Sequence, residues 1–342
     1  MMFEKFYIET IIRESSTIKS FYLKPKGGQA VLPYLPGQFI TVKIQLENGE
    51  TVSRNYTISD TPNGKHYRIT IKRESKGRVS RYFHDVLEIG CEIELSHPMG
   101  DFHLDVETKN TIVLISGGVG ITPMMSMLEY VVSNQTDRKV HFLHSSLDKS
   151  VRPFSKRLNE LQHRHPNLMV SIFHSFPKEP EKPNIDYDFE GFISEDALSK
   201  TIQGDNDYFI CGPTGFMNAM YDNLISLKVS ESNIFYEFFG EGKKLGNQVT
   251  NIETDNGIFK VKFSKSGLNT VWDSDSISLL DLAEKSGLTP PSSCRMGTCS
   301  TCETELIDGN IEYDPEPFMQ PSEENKIFLC CAKPTSDVHL NI

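Results

Sequence analysis

The sequence predicts three successive domains: an antiparallel β-barrel, an α/β unit on a parallel sheet, and a C-terminal α+β segment. Three observations carry this. Residues 1–105 break into short alternating strands parted by turn residues such as Pro36-Gly37, Asn48-Gly49 and Pro62-Asn63-Gly64, the pattern of a small barrel or sandwich. From Thr111 a continuous apolar strand runs into a glycine loop, a helix and a second strand, the recipe of a parallel sheet. Beyond residue 250 alternation returns around a dense run of cysteines.

At 342 residues with 38% hydrophobic content, the chain can bury more than one core. Its longest apolar runs fall short of the ~18 residues of a membrane span, and Met1-Met2-Phe3-Glu4-Lys5-Phe6 has no signal-peptide character. A net charge of −11 argues against nucleic acid and anionic membranes as partners.

In the first domain the expected strands are Phe6–Ile12, Ile18–Leu23, Gly37–Gln45, Val52–Ser59, Tyr67–Arg73 and Glu92–Ser96, with one helix at Val79–Val86. Two places look chemical. In Arg54-Asn55-Tyr56-Thr57, alternation puts a cation and an aromatic plane on one face of a strand, suited to a ligand with a phosphate and a flat ring. A surface Arg beside a half-buried Tyr gives the same pattern. The second place is Lys72 to Ser80, where Gly77 and Ser80 at a helix start offer free N–H groups to an anion; an ordinary glycine turn is the alternative.

In the second domain, strand Thr111–Ser116 meets Gly117-Gly118-Val119-Gly120-Ile121-Thr122-Pro123, then a helix over Met124–Val132 and a strand at Lys139–His144. The loop suits a phosphate, but Pro123 stands where the strict dinucleotide fingerprint has its third glycine. The second strand runs out in His144-Ser145-Ser146, without an acidic residue for a ribose 2′-OH, so NADH and NADPH are both open. A helix near Phe154–His163, a strand at Met169–Ser175 and a surface loop at Pro177–Pro183 follow. Strand Asp207–Cys211 then leads into Gly212-Pro213 and a helix from Phe216, and Ile234–Phe239 closes the unit. Cys211 falls at the carboxyl end of its strand, where open α/β sheets place ligands; a buried small hydrophobe is the plainer reading.

The third segment offers a strand at Ile258–Phe263, Val271-Trp272, a helix at Leu279–Ser286, strand Glu303–Leu306 and a last strand at Val338–Ile342. Between them Cys294, Cys299 and Cys302 form a C-x4-C-x2-C run, with a fourth thiol at Cys330 or Cys331. This is the plant-type [2Fe–2S] spacing; structural zinc sites more often pair their ligands, though zinc and chance thiols remain alternatives. Gly297 and its small neighbours suit a loop that aims N–H groups at sulfur. Seven cysteines, four wanted as thiolates, point to a reducing compartment, the cytoplasm. Residues 251–342 hold 7 Lys and Arg against 15 Asp and Glu, so this segment carries −8 of the total charge. That is either a docking face for a basic acceptor or a solvated surface.

Read together, these motifs resemble the ferredoxin–NADP reductase superfamily fused to a C-terminal plant-type ferredoxin. The domain order is similar to the phthalate dioxygenase reductase, phenylacetyl-CoA epoxidase reductase and hybrid-cluster-protein reductase groups, and the first two-thirds is similar to the reductase half of flavohaemoglobins. The resemblance implies a multi-domain fold: an antiparallel β-barrel flavin domain (1–106), an α/β Rossmann-like nucleotide domain (107–240), a linker (241–250) and an α+β β-grasp ferredoxin domain (251–342). It implies that Arg54, Asn55, Tyr56 and Thr57 hold the flavin, with Arg54 on phosphate, Tyr56 along the ring and Thr57 near N5. Lys72, Gly77, Val79 and Ser80 go to the flavin phosphates, which favours FAD over FMN. Gly117, Gly118, Gly120, Thr122 and Pro123 receive the nicotinamide dinucleotide, Cys211, Gly212 and Pro213 lie beside its reactive carbon, and Phe239 covers the flavin. Counting back from Pro334-Thr335-Ser336-Asp337 selects Cys330 as fourth ligand beside Cys294, Cys299 and Cys302.

The expected activity is that of an NAD(P)H-dependent reductase with Thr57, Thr122 and Cys211 at the reacting centre. Electrons run from NADH or NADPH through FAD and the [2Fe–2S] cluster to a partner protein, foremost an oxygenase. A hybrid-cluster, haem or desaturase acceptor, a flavin reductase with a zinc-bound interaction module, and a non-catalytic redox sensor are the other readings.

Overall fold

The computed structural model describes residues 3–46, 49, 51–75, 77–202, 204, 206–239, 259–272, 276–292, 295, 297, 300–314, 316–317 and 320–342. The expected linker, Ile258, Cys294 and Cys299 lie outside them. The chain divides into two compact units, the larger holding the first two domains apart from Val52–Arg54, and the smaller holding the third together with that short segment.

The first domain consists of β1 (Phe3–Arg13), β2 (Ile18–Pro25), β3 (Phe39–Gln45), β4 (Thr51–Thr57), β5 (Tyr67–Lys72), α1 (Arg78–Asp85) and β6 (Glu92–Ser96). The sheet order is β4-β3-β6-β1-β2-β5, with antiparallel pairing of β1 to β2 and β6, β2 to β5, and β3 to β6. Alternation does the folding here: Ile18, Phe21 and Leu23 turn inward, with Lys19, Tyr22 and Lys24 at the surface. The sheet closes just past β4, where Ile58 bridges Ile69 and the Ser59 N–H donates to the Arg68 carbonyl at 2.7 Å. Closure removes the exposed edges that an open sheet would leave.

The second domain follows with β7 (Thr111–Gly117), α2 (Ile121–Asn134), β8 (Val140–Ser146), α3 (Ser155–Arg164), β9 (Leu168–His174), β10 (Phe189–Glu190), α4 (Glu195–Ser199), β11 (Asn206–Cys211), α5 (Thr214–Ser226) and β12 (Ile234–Glu237). All strands pair in parallel in the order β10-β9-β8-β7-β11-β12. The chain winds outward from β7 to β10, then returns to the other side of β7 at β11. That reversal is a topological switch point, and it opens a crevice at the carboxyl ends of β7 and β11. α2 begins at Ile121, three residues before the expected start. Pro123 sits in its first turn, where a missing N–H leaves no hydrogen bond unmade. Phe154 is the N-cap of α3, held left-handed at φ 58°, and not a helical residue.

Within this larger unit a buried ionic cluster ties barrel to sheet. The Glu129 carboxylate on α2, 1% exposed, accepts from Arg68 of β5 at 3.2 Å and from Arg157 of α3 at 2.9 Å. Ser126, one turn before Glu129, donates to the Asp60 carbonyl at 2.6 Å, and the Arg68 guanidinium lies 5.0 Å from the Phe154 ring centroid. Asp60 in turn meets His66 at 2.8 Å.

The third domain contains β13 (Lys260–Phe263), β14 (Leu268–Val271), α6 (Leu279–Lys285), β15 (Glu303–Asp308), β16 (Ile311–Tyr313), β17 (Lys326–Phe328), β18 (Ala332–Pro334) and β19 (Val338–Leu340). A five-stranded sheet runs β14-β13-β19-β15-β17, and β16 pairs with β18. β13 and β19 are parallel; their neighbours are antiparallel. Ser278 caps α6 by accepting from the Asp281 N–H at 3.2 Å, and the helix buries Leu279, Leu280, Leu282 and Ala283 against Val261, Phe263, Phe328 and Leu340. A helix grasped by a mixed sheet is the β-grasp expected from the resemblance.

Phe263 is fully buried at the centre of this core. Phe263→Ala is expected to cost about 3–5 kcal/mol of this domain's stability, read as a lower denaturant midpoint.

Candidate functional site

β4 carries the first set of candidate residues. Thr57 is 5% exposed, and its Oγ1 is buried with no hydrogen-bond partner among the described residues. Such an orphan costs about 1–3 kcal/mol unless a ligand satisfies it. Tyr56 sits half-buried, with its ring edge-on to Phe83 at 5.8 Å. Asn55 Oδ1 accepts from Thr41 Oγ1 at 2.9 Å, and Arg54 Nη1 donates to the Ser53 carbonyl at 2.8 Å. Arg54, Asn55 and Tyr56 are all partly exposed, so strict in–out alternation breaks down at the end of this strand.

The second set stands at the start of α1. Gly77 is its N-cap and contributes no side-chain cap. Val79 and Ser80 are buried, and Ser80 Oγ accepts from the Glu74 N–H at 3.2 Å. Lys72 pairs with Glu74 at 2.7 Å on the surface.

The crevice at the switch point gathers the third set. Gly118–Gly120 forms one turn of tight helix ahead of α2, with the extended Gly117 as its N-cap, and Ser116 stands beside Cys211 in the ladder. Gly120 is required by close approach: a Cβ there would lie 2.3 Å from the Cys211 carbonyl oxygen. Gly118, at φ 55°, has open space where its Cβ would be. Thr122 is 3% exposed and donates to the Val119 carbonyl at 3.2 Å, and Pro123 is buried beside it. Cys211 is fully buried, and burial pushes its thiol well above the usual range. Gly212 follows it, and Pro213 is the N-cap of α5. Phe239 lies beyond β12 and is 45% exposed.

Glu237, at the end of β12 and paired in register with Cys211, was not anticipated from the sequence. Its Oε2 is buried without a partner among the described residues, and burial pushes its pKa up to about 8. Also unanticipated are Leu147 and Phe176, exposed apolar side chains past the carboxyl ends of β8 and β9, beside the buried Ser145 and Ser146. The acid that follows β8 in the chain, Asp148, is already taken by the Ser150 N–H at 2.9 Å and Lys178 Nζ at 2.5 Å.

In the smaller unit Cys302, Cys330 and Cys331 are 4%, 5% and 0% exposed. Cys302 and Cys330 are in hydrogen-bond contact, and the Gly297 N–H points at Cys330 Sγ from 3.3 Å. Arg295, Gly297 and Ser300 are left-handed, at φ 59°, 63° and 56°, so the loop coils tightly here. A Cβ on Gly297 would fall 2.4 Å from Pro317 Cβ, so only glycine brings that N–H so close. Buried thiols with a backbone donor aimed at one of them fit a thiolate-held cluster.

Three family models match successive stretches: an oxidoreductase FAD-binding domain over residues 5–104, an oxidoreductase NAD-binding domain over 114–222 and a 2Fe-2S iron-sulfur cluster binding domain over 262–335. Flavohemoprotein A of Dictyostelium discoideum is 39% identical over 251 residues, 69% of this chain and 60% of that protein. The chain spans about three-fifths of the length of the curated relatives it matches. Among solved structures, the FAD/NAD-binding domain of a nitric oxide dioxygenase from Vibrio cholerae aligns with TM-score 0.63 and 31% identity, over 70% of this chain and 99% of that one. Phthalate dioxygenase reductase, described as a modular structure for electron transfer from pyridine nucleotides to [2Fe-2S], aligns with TM-score 0.61 and 24% identity over 99% of this chain and 98% of its own.

The Glu237 carboxyl sets a pH dependence. Between its ordinary value of 4.5 and about 8 the folded protein keeps a proton that the unfolded chain has lost. Stability from this group therefore falls as pH rises through that window. Glu237→Gln is expected to flatten the fall in thermal midpoint between pH 5.5 and 8.5; an unchanged slope in the variant would assign the effect elsewhere.

Proposed function

The chain belongs to the ferredoxin–NADP reductase superfamily, extended by a plant-type [2Fe–2S] ferredoxin domain, and from that membership we propose that it is the reductase component of an oxygenase. It is an NAD(P)H oxidoreductase using FAD and a [2Fe–2S] cluster. The observation that supports an oxygenase as acceptor is the domain order. Fold likeness to phthalate dioxygenase reductase runs over nearly the whole chain, whereas the flavohemoprotein match takes in 69% of it.

We assign residues 1–106 to the flavin domain, 107–240 to the nucleotide domain, 241–250 to a linker and 251–342 to the ferredoxin domain. Arg54, Asn55, Tyr56 and Thr57 would hold the flavin, with Thr57 Oγ1, unpartnered among the described residues, free to hydrogen-bond to it. Lys72, Gly77, Val79 and Ser80 would face its phosphates. The nicotinamide would enter the crevice lined by Gly117, Gly118, Gly120, Thr122, Pro123, Cys211, Gly212 and Pro213, and Phe239 would cover the flavin. Leu147 and Phe176 offer apolar surface for the adenine end of NADH or NADPH. Cys294, Cys299, Cys302 and Cys330 would ligate the cluster.

When bound, FAD accepts a hydride's two electrons and the cluster carries them one at a time. The chain's own contribution is positioning: it aligns nucleotide and flavin at the mouth of the switch point and keeps water from the crevice floor, where Cys211 and Thr122 are buried. The acidic third domain, −8 in charge, would steer a basic partner to the cluster end. Four thiolates need a reducing compartment, and we place the protein in the cytoplasm.

Cys299→Ser is expected to abolish cluster absorbance and reduction of one-electron protein acceptors while sparing NAD(P)H-to-ferricyanide activity. Loss of both activities would sink this division of labour. Iron analysis then separates the adjacent thiols: Cys330→Ser loses two irons per chain, and Cys331→Ser keeps them.

A further inference from the structure

The flavin strand and the nicotinamide loop belong to different domains, yet hydride transfer needs their ligands aligned to a fraction of an ångström. What holds the two backbones in register is visible on α2. Thr122, Ser126 and Glu129 are spaced i, i+4 and i+7, so they share one face of the helix. The helix that presents Thr122 to the crevice therefore presents its next two turns to the barrel.

Both of those turns are anchored. Ser126 Oγ donates to the Asp60 carbonyl at 2.6 Å, three residues along the chain from Thr57. Glu129 pairs with Arg68 at 3.2 Å, and Arg68 belongs to the strand on which the barrel closes beside Ile58 and Ser59. A single tie fixes a distance and leaves rotation free; two ties on successive turns fix both. The second tie is itself braced, since Arg157 on α3 donates to the same Glu129 oxygen at 2.9 Å and the Phe154 ring lies against the Arg68 guanidinium.

We propose that Ser126 and Glu129, through Asp60 and Arg68, are positioning residues that set the alignment of the nicotinamide-binding loop on the flavin-binding strand. They touch neither ligand; they act through the backbone at Asp60 and through α2. The proposal rests on the flavin and nucleotide sites assigned above.

The test uses the full-length protein loaded with FAD and cluster, comparing wild type with Ser126→Ala and Glu129→Gln. Stopped-flow reduction of the flavin by NADH and by NADPH gives a nucleotide dissociation constant and a limiting rate, and C4-deuterated nucleotide gives the isotope effect. Both variants are expected to retain stoichiometric flavin and a dissociation constant within about twofold of wild type. Their limiting rate should fall about tenfold or more, the size of effect a sub-ångström to ångström misplacement produces, with a full primary isotope effect. A limiting rate equal to wild type, with only the thermal midpoint lowered, overturns the proposal and leaves the cluster a purely structural tie. Should Glu129→Gln fail to fold, Ser126→Ala decides alone, because it removes one hydroxyl and no charge. Failure of the wild-type flavin to be reduced by either nucleotide would instead overturn the site assignment on which the proposal rests.

Discussion

Burying Arg68 and Glu129 constrains this molecule more than any other single interaction. The two residues are 5% and 1% exposed, and each charge taken from water costs several kcal/mol unless geometry and extra hydrogen bonds offset it. The offset is assembled from five directions: Arg157, Asp60, the Ser59 hydroxyl, the Ser59 carbonyl and the Phe154 face. Removing either Arg68 or Glu129 would leave the other's buried charge short of its main partner, at about 3–5 kcal/mol. The barrel and the parallel sheet each have an apolar core, but their mutual placement is set by a polar cluster that tolerates one arrangement. Asp60 shows the same bargain. Burial raises its pKa, yet the His66 hydrogen bond and the Arg68 charge outweigh burial and hold it below the ordinary carboxylate range.

The sheet contributes the complementary constraint. Because the chain reverses direction at β7, two loops meet where β7 and β11 end, and neither β8 nor β12 intervenes. Their closeness is what forces glycine at position 120 and what buries Cys211 beneath it. It also brings Glu237 in register with Cys211. Its Oε2, buried without a partner among the described residues, is a cost to folding, and such costs gather at working sites.

Much of this could be read from residue order alone. Period-two alternation located all six strands of the first domain, and the unbroken apolar run of β7 announced a strand covered on both faces. The cysteine spacing and the glycine loop pointed to two of the domain types that the family models match. The segments that escaped are short or non-local. β10 has two residues and β16, β17 and β18 three each, too few for any period to register. α4 has five. Arg68 occupies a strand position between apolar neighbours, and Glu129 is the one charged residue of α2, but no local signal joins residues 61 positions apart. Glu237 looked like an ordinary strand-end acid, because its meaning depends on the neighbouring strand. Pro123 misled in a different way: a proline usually marks where a helix has not begun, and here it stands inside the first turn.

The adjacent thiols at 330 and 331 differ in their surroundings and not in their burial. Both are buried, their sulfurs are 3.6 Å apart, and composition treats them alike. The difference lies in what faces each one. Cys330 meets the Gly297 N–H and the Cys302 thiol, whereas the position of a Cβ on Gly297 would be 3.2 Å from Cys331 Sγ. A thiolate needs donors, and the only backbone donor that reaches either sulfur from this loop among the described residues is directed at Cys330. Counting back from Pro334 reaches the same residue by an unrelated route. The glycine therefore has two roles at once, since the missing side chain that lets the loop coil past Pro317 also lets its N–H approach sulfur. A larger residue at 297 would lose the coil and the donor together, which ties the shape of the loop to the charge it can hold.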